Sequence, residues 1–457
     1  MVHNQTAMLT EVLPTQHGLL DRLFELSKHR SSVRTEVTAG LTTFAAMAYI
    51  LAVNPAILST SGMDVGAVIT ATALTSAIMT AAMALATNYP IALAPGMGVN
   101  AFFTYTICLG MKVPWQAALA MVFCSGTLFL LLTFTGIRQM IIESIPPELK
   151  VAISCGIGLF IAFIGLKNGG VIVGDPATLV KAGALAAPST LLVLAGIILT
   201  ATLVWRKVRG AIVLSVLVLT AAGFFIPAPD GHGTLTHLPE KWLAAPASLK
   251  PTFLALDLGY LVHNLGQIFP LILALLFVDL FDNMGTLIGV CQRAGLLDKQ
   301  GNLPKIGRAL AADATAAMVG SVLGTSTVTS YIESAAGIEE GGRTGLTSLV
   351  VAACFIAALF VHPVIRIIPA AATAPALVIV GIFMMQGIRN LDLHDFAKAV
   401  PTVLIILLMP LTFSISEGLA IGFVVYVAFM LGTGRWREVS WMGWVLGTLF
   451  FLHLLFR

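Results

Sequence analysis

The sequence predicts an all-α polytopic membrane protein of about 14 transmembrane segments, and three observations predict it. Of 457 residues, 58% are hydrophobic and 10% are charged, against about 25% charged in a soluble protein. Apolar runs of about 20 residues recur between short polar stretches, the length a helix needs to cross about 30 Å of hydrocarbon. The runs fall into two sets of seven, which sets the halves in opposite orientations, the inverted-repeat plan of secondary transporters. A soluble protein with an oily core is excluded, because no soluble fold buries so many such runs.

In chain order, residues 1–35 read as a cytosolic arm. Leu19, Leu20, Leu23, Phe24 and Leu26 alternate with Asp21, Arg22, Glu25 and Lys28, which predicts a short amphipathic helix on the membrane surface. Spans are expected at 37–57, 66–88, 96–110, 115–135, 148–166, 189–205 and 210–227, and again at 267–291, 306–323, 329–338, 344–361, 370–387, 401–413 and 417–431. Arg22, Lys28, Arg30 and Arg34 precede the first span, so the positive-inside rule puts the N-terminus in the cytoplasm. Arg138, Arg206, Lys207, Arg209, Arg293, Lys299, Lys305, Arg308, Arg343, Arg389, Arg435 and Arg437 fall on the same side, and Arg366 is the exception. The Pro-rich loop 228–262 lies on the opposite side. The pair 401–413 and 417–431 is broken at Ser414, Ser416 and Glu417 and reads as a hairpin of half-crossings. The last run, 441–456, fits a surface helix or an additional span. Cys108, Cys124, Cys155, Cys291 and Cys354 stand singly in apolar segments and read as small packing residues.

Two stretches interrupt this pattern. Gly324 to Ser330 are small or β-branched, and five of the seven carry hydroxyls; Glu333 follows, then Glu339, Glu340 and Arg343. Irregular backbone at membrane depth survives only where protein or a wet cavity satisfies its polar groups. In the first half, Pro90, Pro95, Gly96 and Gly98 rule out a continuous helix, and Asn100 follows. Shifting the chain by 229 residues sets Asn54 opposite Asn283 and Asn100 opposite Thr329. Paired interruptions at matching positions point to a transporter binding site. Half-helices starting at the breaks would aim their positive ends at one centre. Asn100 could be a helix N-cap, a ligand, or both.

The carboxylates sharpen the reading. Asp279 and Asp282 are three apart and share one helical face. A centred Asp costs about 2.5–3.5 kcal/mol on insertion scales, so the pair faces a cavity or partners. No intramembrane Lys or Arg stands near to form an ion pair, and burial with a like charge favours protonation. The plainer alternative is a polar clamp between helices; the default for intramembrane ionisable residues is function. Asn100, Asp279, Asp282 and Glu333 make a set of acceptors and an amide. It suits a flat polar solute with N–H donors, or a cation. It has no metal-ligand spacing and no nucleophile–base pair, so no catalytic residue, metal or cofactor is expected. His263, His362 and His394 read as interfacial.

Four motifs, RTEVTAGLTTFAAMAYILAVNPAIL, IALAPGMGVNAFF, VDLFDNMGTLIG and GTSTVTSYIESAAGIEEGGRTGLT, resemble the adenine/guanine/hypoxanthine permease branch of the nucleobase–ascorbate transporter (nucleobase:cation symporter) superfamily. The resemblance runs in order from about Leu19 to Arg437. It implies two inverted seven-segment repeats, with a short strand and a half-helix in segments 3 and 10. It also implies a core domain (36–140 and 263–364) and a gate domain (141–262 and 365–457) that carries the dimer contact. Substrate contacts would come from Asn100, Asp279, Asp282, Glu333, Ser334 and Phe102, and proton coupling from Asp279, Asp282 and Glu333. The activity implied is purine import by proton symport through an elevator-type movement in a bacterial inner membrane. Glu333 fits the adenine/guanine/hypoxanthine branch better than relatives with Gln or Asn there, which favour oxidised purines or uracil. Adenine is the weakly favoured substrate. An anion carrier would place positive residues or bare helix ends at the centre, which the carboxylates oppose; a uracil or xanthine carrier on the same fold is the other alternative. A membrane enzyme would need a reactive constellation.

Overall fold

The computed structural model describes residues 19–135, 145–228, 233–239, 241–298, 303–391 and 393–455; residues 281, 282, 284, 285, 288 and 453 are described by backbone alone. Residues 1–18 of the arm, Arg138 and Lys299 lie outside the described residues.

The first half begins with α1 (Leu19–Phe24), α2 (Val33–Met47), α3 (Ile50–Leu58) and α4 (Val65–Thr87). Ser32 and Asp64 cap α2 and α4 by accepting from Thr35 N and Ala67 N, which satisfies donors every helix start leaves open. The first span is one apolar stretch, Val33–Ser61, in which Ala48 and Tyr49 form a turn between α2 and α3. Strand β1 (Leu93–Pro95) follows, then α5 (Met97–Ala101), continued as a π-helix over Phe102–Gly110. Next come α6 (Trp115–Thr135), α7 (Pro147–Asn168), the hairpin β2 (Ile172–Asp175) and β3 (Leu179–Ala182), α8 (Pro188–Trp205) and α9 (Ala211–Ala222).

The second half repeats the order: α10 (Leu258–His263), α11 (Leu265–Arg293), α12 (Ile306–Leu323), β4 (Val328–Ser330), α13 (Ser334–Glu339), α14 (Gly345–Ala358), α15 (Ala370–Met384), α16 (Phe396–Leu411), α17 (Ile415–Gly432) and α18 (Trp441–Leu455). Among the described residues nine helices are long and apolar enough to cross a membrane, and five more are shorter apolar helices. Leu131, Phe134, Ile198 and Trp205 are exposed on the outer surface, where lipid rather than water is the solvent.

β1 and β4 pair antiparallel in the register Leu93↔Ser330, Ala94↔Thr329 and Pro95↔Val328. Antiparallel pairing of equivalent strands is what an inverted repeat requires, and each strand leads into its own short helix. Glycine permits the turn into β4: Gly324 closes α12 at φ +97 with Thr252 packed against it. The strands also correct the repeat register. Element order matches β1 with β4 and α5 with α13. Asn100 therefore corresponds to a residue of α13, and Thr329 corresponds to a residue of β1. The 229-residue shift is replaced because small residues in oily segments align by chance.

One further expectation changes, and two other stretches gain detail. Phe396–Leu411 and Ile415–Gly432 form a helical hairpin whose second arm is a full-length apolar helix, so the pair is not two half-crossings. Ser414 makes the turn by capping α17 through Glu417 N. The C-terminal run is a helix of 15 residues, roughly 22 Å long, packed on α17 and α11. The loop after α9 is strapped to helix ends: Thr70 Oγ1 donates to Ala247 O, Leu254 N to Val322 O and Asp257 N to Gln116 O.

The helices pack in two groups. In one, α4 lies on α12 and α14, α6 on α12, and α2 on α13 and α14; in the other, α7 lies on α15 and α16, α8 on α15, and α16 on α17. The groups touch where α5 meets α7. There a Cβ on Gly98 would come within 2.5 Å of Ile157, so the glycine permits the close approach. They also touch through an ion pair of 2.6 Å between Arg209 and Glu340, which at its exposure contributes about 0–1 kcal/mol. At the start of α16 the Arg435 guanidinium hydrogen-bonds Asp395 at 2.9 and 2.8 Å and holds its carboxyl below the ordinary value.

Candidate functional site

The site is built on the β1–β4 pair, because there two breaks from opposite halves satisfy each other. Gly96 N donates to Thr327 O and Tyr331 N to Ala92 O. Tyr331 Oη donates to Pro95 O at 2.8 Å, and Ser334 Oγ accepts from Ala92 N at 3.0 Å. Non-helical backbone at this depth is thereby paired within protein. Both short helices, α5 and α13, start next to this pair.

On the α5 side lies a closed amide network. Asn54 Nδ2 donates to Thr72 Oγ1 at 2.7 Å and to Thr325 Oγ1 at 2.9 Å. Asn100 Nδ2 donates to Asn54 Oδ1 at 2.7 Å, and Ser326 Oγ donates to Asn100 Oδ1. Asn54, Asn100, Thr325 and Ser326 are fully buried. Asn100 therefore cross-links α3, α5 and the second break with both ends of its amide. The cap reading is corrected: the N-cap of α5 is Gly96, whose position needs no side chain. Phe102 is fully buried in the apolar core. Ser334 is likewise buried, and its hydroxyl serves the backbone of Ala92.

On the other side a carboxylate network holds β4. Asn283 Nδ2 donates to Asp279 Oδ1 at 3.1 Å, and Ser330 N donates to Asn283 Oδ1 at 3.2 Å. Ser330 Oγ sits 3.0 Å from both carboxylate oxygens of Asp313. Asp279, Asn283 and Asp313 are buried. The side chain of Asp282 lies outside the described residues. Buried polar groups satisfied in this way rigidify a site and specify one arrangement.

Glu333 is placed differently. It stands half-buried at the N-cap of α13, three residues beyond Ser330. Tyr49 Oη donates to its Oε1 at 2.6 Å. Among the described residues Tyr49 is the one side chain that donates to this carboxylate, and the backbone N–H of Glu333 itself is the other donor. A half-buried acceptor with one oxygen held and one available can receive an N–H from a solute. Ile332, beside it, is 52% exposed, an apolar surface next to the acceptor.

Sequence reasoning missed three residues here. Asp313 is the one acid in IGRALAADATAAMVGSVL, so the rule that singled out Asp279 applied to it equally. Tyr49 carries the hydroxyl in AMAYILAVNPAIL. Glu36, fully buried in α2, accepts from Arg343 N at 3.0 Å, Thr344 N at 3.2 Å and Thr347 Oγ1 at 2.6 Å. It fastens the start of α14, just after the site. Its only sequence signal was an acid immediately before the expected first span, 37–57.

Inverted repeats, crossed strands and polar side chains gathered at paired breaks define a membrane transporter. The Permease family model matches residues 34–421, and the chain belongs to that family; it is a transporter and not an enzyme. The adenine permease AdeP of Escherichia coli is 40% identical over 439 residues, covering 96% of this chain and 96% of that protein. The guanine/hypoxanthine permease PbuO of Bacillus subtilis is 41% identical over 439 residues, covering 94% and 99%. The transmembrane domain of the cyanobacterial bicarbonate transporter BicA superposes with a TM-score of 0.63 at 15% identity, covering 86% of this chain and 97% of that one; this likeness concerns the fold. The motif resemblance thus agrees with the family and with relatives of the adenine/guanine/hypoxanthine branch.

Proposed function

We propose that the protein imports purine nucleobases by proton symport. The observation that carries the reading is Glu333, a half-buried carboxylate beside a strand crossing with one oxygen held by Tyr49. The relatives AdeP and PbuO, named for adenine and for guanine and hypoxanthine, support the substrate class. A neutral purine offers ring N–H donors, and Glu333 Oε2 accepts one. Asp279, with Asp282 three residues on, supplies the coupled proton site. Asn100 and Ser334 tie the two breaks together behind Glu333, Phe102 packs in the core beside Asn100 in the chain, and Asp313 holds Ser330 in place. Adenine is the favoured base within the class.

In this reading the group of α2–α6 and α11–α14 is the core that carries substrate. The group of α7–α9 and α15–α18 is the gate that supports it and contacts a second copy of the chain. Proton entry neutralises the Asp279 region and permits the loaded core to move in an elevator-like step. An empty, deprotonated core would carry buried charge past the gate, which is costly. The N-terminus faces the cytoplasm of a bacterial inner membrane. The test is accumulation of labelled adenine and hypoxanthine by cells lacking their own purine permeases, with and without a protonophore. Accumulation should fall to the equilibrated level when the proton gradient is collapsed. Accumulation unchanged by the protonophore would contradict symport.

A further inference from the structure

We infer that Tyr49 is the positioning residue that sets the affinity of Glu333 for substrate; the inference rests on the reading of Glu333 as the acceptor for the base. Four observations carry it. Tyr49 and Glu333 come from opposite halves of the repeat, 284 residues apart, and meet in a hydrogen bond of 2.6 Å. Such a bond to a carboxylate is of the strong, charge-assisted kind. Tyr49 stands in the two-residue turn between α2 and α3, so its side chain leaves the first span at the one point where the two helices are joined. The ring is 2% exposed and forms part of the wall of an apolar crevice of about 450 Å³, beside Leu41, Phe44, Val216, Leu217 and Ile365. The packed ring fixes the hydroxyl.

The chemical consequence concerns geometry. A glutamate has three side-chain torsions and a freely turning carboxylate, and fixing it at the moment of binding costs rotamer entropy. With Oε1 held beforehand, Oε2 is presented in one orientation and that cost is met during folding. Tyr49 touches Glu333 and acts through it. Its loss should weaken binding while leaving the moving parts of the transporter unchanged.

The experiment is the concentration dependence of labelled hypoxanthine uptake by Tyr49→Phe, run beside Glu333→Gln. Phe keeps the ring in the crevice wall and removes only the donor. The expected result is a KM raised about tenfold or more. Vmax should change by less than about twofold, with the amount of protein in the membrane and its melting temperature unchanged. A wild-type KM in Tyr49→Phe, or a loss confined to Vmax, would overturn the inference while Glu333→Gln remains inactive. A wild-type KM in Glu333→Gln would overturn the parent reading of Glu333, and the role of Tyr49 with it.

Discussion

Glu333→Gln is expected to lower purine uptake at least about hundredfold while the protein still reaches the membrane in normal amount. The substitution keeps the size of the side chain and removes an acceptor. In one amide orientation the NH2 group opposes the N–H of the base. In the other it faces the hydroxyl of Tyr49, which now donates to Oε1 at 2.6 Å and would have to turn and accept, leaving a neutral amide oxygen for the base in place of a carboxylate. Hydrogen bonds to charged groups contribute roughly 1.5–3 kcal/mol each, and a site built to bond a polar group discriminates steeply when a partner fails. Because Glu333 is only half-buried, folding should tolerate the change. Uptake assays with immunodetection of the membrane fraction measure both quantities. Wild-type uptake would remove Glu333 from the site.

Glu36→Ala should act on the fold rather than on transport chemistry. The carboxylate is fully buried and receives Arg343 N, Thr344 N and Thr347 Oγ1. Two of these are backbone donors at the start of α14, where no intrahelical partner exists. The Arg343 guanidinium donates to Ile338 O at 2.6 Å and Gly342 O at 2.7 Å, so the whole turn between α13 and α14 is tied to this point. Truncation strands these donors in a buried place, at a cost of roughly 3–5 kcal/mol. The purified variant should melt roughly 5 °C or more below the parent. An unchanged melting temperature would mean that water or a neighbouring group replaces the carboxylate.

Much of this architecture was legible because lipid imposes length. Apolar runs must match the hydrocarbon thickness, and the expected spans 115–135, 189–205 and 306–323 coincide with α6, α8 and α12 to within a residue. The two breaks were legible because Pro95, Gly96 and Gly98, and the hydroxyl run after Gly324, cannot continue a helix. The repeat register was not legible: Ala, Gly and Thr recur throughout, and only the β1–β4 pairing distinguishes one alignment from another. The roles of single polar residues were least legible. Asn100 looked like a cap or a ligand, and its amide is spent on Asn54 and Ser326, which lie 46 and 226 residues away in the chain. Tyr49 gave one hydroxyl in an apolar run, and nothing in a linear pattern announces a partner in the other half. Asp313 is the instructive case, since it is a lone carboxylate in an apolar run and the rule for intramembrane carboxylates covers it as it covers Asp279.

The most direct measurement is equilibrium binding of labelled adenine or hypoxanthine to the purified protein, with unlabelled purines, bicarbonate and sulfate as competitors. Binding should be saturable, displaced by purines and indifferent to the anions. Absence of purine binding together with saturable binding of an anion would contradict purine transport.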